Sequence, residues 1–114
     1  MSALRAGRVA LLPLLLLLGS GGALATDAPV AAGAEVFARW CQPCHGAGPG
    51  HPGTQALAAK YHGSPPAELE QRTDLTPEIV RYFVRHGISV MAPFRKTEIT
   101  DEELDALAAW LARR

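Results

Sequence analysis

Apolar positions along the chain form one nearly unbroken run and several spaced ones. Val9 to Leu18 is apolar throughout, interrupted only by Pro13. Arg5 and Arg8 stand ahead of it, and Gly19-Ser20-Gly21-Gly22 and Ala23-Leu24-Ala25 follow. A positive flank, a short apolar core and an A-x-A site have the layout of a secretory signal peptide. The run falls short of the roughly 20 residues that span a bilayer. Residues 1–25 are therefore expected to be removed, leaving one domain, 26–114, exported to the periplasm with no stable membrane span. An uncleaved N-terminal anchor is the other reading of the same segment.

Beyond that run the apolar spacing is helical. Val36, Phe37 and Trp40 stand at i, i+1 and i+4, predicting a helix over Gly33–Trp40 that runs straight into Cys41. Thr26–Ala32 reads as a loose lead. Residues 46–56 hold Gly46, Gly48, Pro49, Gly50, Pro52 and Gly53 and read as a loop. Leu57–Tyr61 predicts a short helical turn, and Ser64-Pro65-Pro66 can open another. Thr76-Pro77-Glu78 is a helix start, with Thr as cap, Pro in the first turn and Glu at the positive end of the dipole. That helix is expected to run to His86 and stop at Gly87, with Ile79, Val80, Phe83 and Val84 inward and Glu78, Arg81 and Arg85 wet. Ile88–Thr97 holds Pro93 and reads as a loop. Thr100-Asp101-Glu102-Glu103 is a capping box. Leu104, Leu107, Ala108 and Leu111 then mark one face of a last helix, broadened by Trp110. No segment alternates with period two. The expected fold is all-α, about four helices.

Composition adds one constraint. Without residues 1–25 the chain has only seven aromatic residues: Phe37, Trp40, Tyr61, Tyr82, Phe83, Phe94 and Trp110. Domains this small bury too little surface to stand easily on side chains alone, so a cofactor is expected to fill the centre. Losing Arg5 and Arg8 leaves 9 basic against 11 acidic residues, a net charge of −2. That is not the basic footprint of a nucleic-acid binder.

The chemistry concentrates at Cys41-Gln42-Pro43-Cys44-His45. C-x-x-C-H is a c-type haem attachment pattern. Two thiols add to the two haem vinyl groups, and the adjacent imidazole is held at the iron. A thioredoxin-like C-x-x-C goes with a βαβ pattern that this chain lacks. A zinc site needs a second ligand pair, and His51, His62 and His86 are scattered. Beyond residue 25 the chain has one methionine, Met91, in the loop Met91-Ala92-Pro93-Phe94. Met opposite His fills the iron's coordination shell and raises its potential. His51 is too close to the attachment motif to cross the haem. His86 at a helix end and His62 in a loop have simpler readings. The other ring nitrogen of His45 needs an acceptor, expected from a carbonyl of the Pro49–Pro52 loop. Trp40 or Tyr61 is a candidate donor to a haem propionate.

With these residues in view, the chain resembles the monohaem class I cytochromes c over nearly all of 26–114. The resemblance rests on Cys41, Cys44, His45-Gly46, Met91, and two framing helices carrying Gly33 and Phe37 and Trp110-Leu111. It implies a small all-α shell around one covalent haem c, His45 and Met91 as axial ligands, and crossing of the first and last helices. Ala92 departs from the Met-Pro pair of many members, which bears on the shape of the loop. More narrowly, residues 66–111, especially Leu75-Thr76-Pro77-Glu78 and Val90–Glu98, resemble the cytochrome subunit of 4-cresol dehydrogenase and related eugenol- or vanillyl-type flavocytochromes. That implies an FAD-containing dehydrogenase subunit acting on para-substituted phenols as electron donor, and a downstream acceptor. A free soluble cytochrome c serving a terminal oxidase is the alternative. A haem or thiol oxidoreductase is a third reading, which Met91 and the haem motif disfavour. Ile88, Val90, Ala92 and Phe94 are candidates for an apolar docking patch, with Arg95, Lys96, Arg81 and Arg85 as candidate docking charges or plain solvated ones.

Overall fold

A computed structural model describes residues 27–113. The leader and its A-x-A site lie outside the described residues. The order is α1 (Asp27–Val36), a π-helical turn (Phe37–Cys41), α2 (Gln42–His45), α3 (Pro52–Tyr61), a 3-10 turn (Leu69–Gln71), α4 (Pro77–His86) and α5 (Asp101–Ala112). α1, the π-turn and α2 follow without a gap. The described residues thus form four helical rods and no strand, the expected all-α class. No described helix is long and apolar enough to cross a membrane.

Local chemistry accounts for the boundaries. Pro29 sits in the first turn of α1, where its missing N–H costs nothing. The wide turn precedes Pro43, which has no N–H for the carbonyl of Arg39 and whose ring would crowd it in a tight helix. The Thr76 hydroxyl accepts the Ile79 N–H at 3.3 Å, opening α4. Thr100 and Glu103 exchange bonds of 3.1 and 2.9 Å in a complete capping box that opens α5. Gly87 ends α4 at a φ of 68°, its N–H bonded to the Phe83 carbonyl at 2.8 Å.

α5 is the centre of the core. Its Leu104, Leu107, Ala108, Trp110 and Leu111 are buried with Val36 and Phe37 of the first rod and Val80 and Val84 of α4. α1 lies directly on α5 at Gly33. A Cβ there would stand 2.3 Å from the Ala106 carbonyl oxygen and 2.6 Å from the Trp110 Cβ. Four residues on, Phe37 meets the Trp110 ring with centroids 5.0 Å apart. α4 is tied to α5 by Arg81–Asp105 at 2.7 Å and Arg85–Asp101 at 2.9 Å.

Four expectations are corrected. The lead to α1 is helical from Asp27, because its alanines are strong helix formers even without an apolar stripe. α3 begins at Pro52, five residues before the expected turn, so half of the expected loop is helix. Ser64-Pro65-Pro66 opens no helix at once: the chain passes a cis Ser64–Pro65 bond and turns only at Leu69–Gln71. The inward stripe of α4 also divides. Val80 and Val84 are buried, whereas Ile79 is 41% exposed.

Gly33→Ala is expected to destabilise the fold by about 1–3 kcal/mol, the usual cost of overpacking. Urea unfolding of the variant against the parent measures it.

Candidate haem-binding site

The first rod carries the motif to its place. Cys41, ending the π-turn, is buried on the core side, and Cys44, one turn on, is exposed. His45 ends α2, and Gly46 turns the chain into extended backbone. A Cβ on Gly46 would strike the His51 ring at 2.7 Å, so the ring packs on bare backbone. His51 Nδ1 also bonds the Pro43 carbonyl at 3.1 Å. Thr54, buried, donates to the Gly46 carbonyl at 2.8 Å.

The start of α3 thus braces the motif from behind. Gly53 completes the brace, since a Cβ there would lie 2.6 Å from the His45 ring. Gly53 marks close approach within a helix, whereas Gly46, Gly48 and Gly50 lie in the loop that their density predicts. The expected carbonyl bond from Pro49–Pro52 to His45 is not formed. His45 Nδ1 is buried with no hydrogen-bond partner. Gly53 backbone packs closely against the ring instead. Burial lowers the His45 pKa, favouring the neutral imidazole whose lone pair can bind a metal.

Met91 arrives from the other end of the chain. Ile88 and Met91 exchange backbone bonds of 3.0 and 2.9 Å, closing a tight turn with Ser89 and Val90 at its tip. Ser89 takes a φ of 54° and Val90 is 95% exposed. Below the turn, Phe94 donates its N–H to the Val84 carbonyl at 2.8 Å and accepts from Arg85 Nη1 at 3.1 Å. Gly87 lies under Met91: a Cβ there would stand 2.3 Å from the Met91 carbonyl oxygen.

Two adjoining cavities of about 180 and 390 Å³ open between these pieces, and Cys41, His45 and Met91 line both. The larger alone is within the size range of prosthetic-group pockets. One end, with Trp40, Cys44, Val90 and Phe94, is the cysteine end. The other reaches Tyr61, Leu69, Arg72 and Leu75. The lining is apolar but for the motif and Lys60, Tyr61, Arg72 and Ser89. His51, His62 and His86 line neither cavity. The Trp40 Nε1, buried at the cysteine end, is also unpartnered, so both orphaned buried side-chain atoms among the described residues belong to this cleft. A flat, largely apolar group with two attachment points at one edge fits such a lining.

Residues 28–111 match the protein family described as cytochrome c oxidase, cbb3-type, subunit III. The chain belongs to this family of c-type cytochromes. No curated protein and no solved structure matches it. Membership makes it a haem c protein that carries electrons. The cleft agrees, and so does the chemistry of its thiols. Burial, reinforced by Cys44, pushes the Cys41 thiol up to about 12. A dithiol oxidoreductase works through a thiolate of lowered pKa, the opposite of the shift at Cys41.

Sequence reasoning missed Arg72, Thr54 and the bracing role of His51. Arg72 sits in a segment without helical spacing, and its burial arises only from the tertiary fold. The loop geometry yields a direct test. In Gly87→Ala the new methyl, crowding the Met91 carbonyl in a left-handed backbone position, is expected to destabilise the fold by about 1–3 kcal/mol, read by urea unfolding.

Proposed function

We propose that this cytochrome is a periplasmic single-electron carrier with its haem on Cys41 and Cys44 and its iron held by His45 and Met91. Bound haem c supplies a one-electron iron couple. The chain's part is to hold two ligands still and keep the cleft dry. The observation that carries the ligand assignment is that His45 and Met91, 46 residues apart, line the same two cavities while every other histidine stays outside. The closed shell such a pair makes suits transfer of electrons and leaves no position for a substrate.

We further propose that the donor is an FAD-containing dehydrogenase acting on para-substituted phenols, with a second redox protein downstream. Support comes from the resemblance of 75–78 and 90–98 to flavocytochrome subunits. The family description names an oxidase subunit, which favours a second reading, a carrier delivering electrons toward a terminal oxidase. Purification from the native source separates the two. Stoichiometric FAD in the same complex supports the first, and an FAD-free cytochrome oxidised rapidly by oxidase-containing membranes supports the second.

The surface constrains how a partner docks. Arg81 pairs with Asp105 and Glu78, Arg85 with Asp101, Arg95 with Glu98 and Lys96 with Asp101. The candidate docking cations are thus compensated within the chain. The turn beside Met91 instead offers exposed Ile88 and Val90. Docking through that turn owes little to charge, and charge is what makes association salt-dependent.

Met91→Ala is expected to keep the covalent haem and lower its midpoint potential, read by redox titration. For docking, Val90→Asp is expected to slow reduction by the donor about tenfold, roughly the loss of one good apolar contact. Charge reversal of Arg95 and Lys96, and added salt, are expected to leave that rate within about twofold. Stopped-flow measurement checks all three.

A further inference from the structure

Thr54 is buried, 7% exposed, in the first turn of α3. Its hydroxyl donates to the carbonyl of Gly46 at 2.8 Å. Gly46 is itself buried and directly follows His45. The Gly46 N–H bonds the Gln42 carbonyl at 2.8 Å. Both polar groups of this glycine are therefore committed, one to α2 and one to α3. A valine would fill the same space as Thr54, so what the hydroxyl adds is the bond. Without it a buried carbonyl would lose its partner.

The His45 ring has no polar hold of its own. Metal-bound histidines are ordinarily oriented by a hydrogen bond from the second ring nitrogen. Here Nδ1 is buried with no hydrogen-bond partner. Packing acts in its place. A Cβ on Gly53 would stand 2.6 Å from His45 Cε1 and 2.8 Å from Nδ1, so that edge of the ring lies against α3. The gap between α3 and the end of α2 then decides how tightly the ring is held. Thr54, next to Gly53, ties α3 to the residue after His45. The other tie, His51 Nδ1 to the Pro43 carbonyl at 3.1 Å, is exposed, where water competes for both groups. We propose that Thr54 is a positioning residue for the axial imidazole: its bond to Gly46 sets the gap in which Gly53 clamps the His45 ring, and so holds the ring in one orientation about its Cβ–Cγ bond. Thr54 acts through Gly46 and Gly53 and touches neither haem nor iron.

The inference rests on His45 being an iron ligand, and the test keeps the two apart. The g values of a low-spin ferric haem follow the orientation of its axial imidazole, so one orientation gives one set in electron paramagnetic resonance. A low-spin His/Met signal from the parent holoprotein establishes the ligand assignment whatever Thr54 does. A parent without that signal sinks the assignment and the proposal with it. Thr54→Val is expected to keep the covalent haem and to broaden the signal or split it into more than one set. Thr54→Ser keeps the hydroxyl and is expected to give the parent's single set. A Thr54→Val signal equal to the parent's overturns the proposal even if urea unfolds the variant sooner, since a merely structural bond changes stability and leaves the spectrum alone. A Thr54→Ser signal altered like that of Thr54→Val overturns it too. If Thr54→Val yields no folded holoprotein, the ferrous parent decides. Its proton NMR spectrum is expected to show the Thr54 hydroxyl proton shielded from exchange, with an Overhauser contact to Gly46. A hydroxyl proton in fast exchange with water overturns the proposal.

Discussion

One helix can rest on another's backbone only where it carries no side chain, and the whole arrangement descends from the place where this chain does so. Gly33 lets α1 touch the Ala106 carbonyl and the Trp110 Cβ directly. That contact fixes the line along which the first rod leaves α5. The π-turn and α2 continue the line, so the positions of Cys41, Cys44 and His45 follow from a contact about two turns upstream. Phe37 against Trp110 locks the rotation of the rod about its own axis. A residue with a Cβ at position 33 would change the separation of the rods and with it the depth of the cleft.

The opposite wall depends on a different kind of tie. The segment after α4 has no regular structure to hold it, and backbone bonds do the work instead. Phe94 is gripped through both its N–H and its carbonyl by Val84 and Arg85. Ile99 is fully buried two residues before α5 begins. Lys96 and Arg85 converge on Asp101, the first residue of that helix, and hold its carboxyl below the usual range. The charged residues near the Met91 turn are thus paired within the chain.

Much of this was legible in the sequence, for definite reasons. Thr76 and Thr100 announce α4 and α5 because a capping hydroxyl and the residue three positions on are local chemistry, independent of the rest of the fold. The attachment motif is legible because its spacing is dictated by the cofactor. What escaped depends on approach between distant segments. Gly53 and Pro52 read as loop residues, yet Pro52 opens α3 and Gly53 makes room for the His45 ring. The acceptor expected for His45 Nδ1 failed for the same reason, since only the packed structure shows that α3 presents bare backbone to the ring. Arg72 in sequence is an ordinary polar residue between turns. Only folding puts it over a tyrosine ring and inside an apolar wall.

The double grip on Phe94 has a consequence for speed. When a centre gains or loses charge, the surrounding atoms shift toward new equilibrium positions, and the work of that shift sets the activation barrier for exchange. A wall pinned at backbone level a few residues from Met91, facing a histidine wedged against Gly53, leaves those atoms little distance to travel. On the ligand assignment proposed above, such pinning would keep the barrier to charge exchange low.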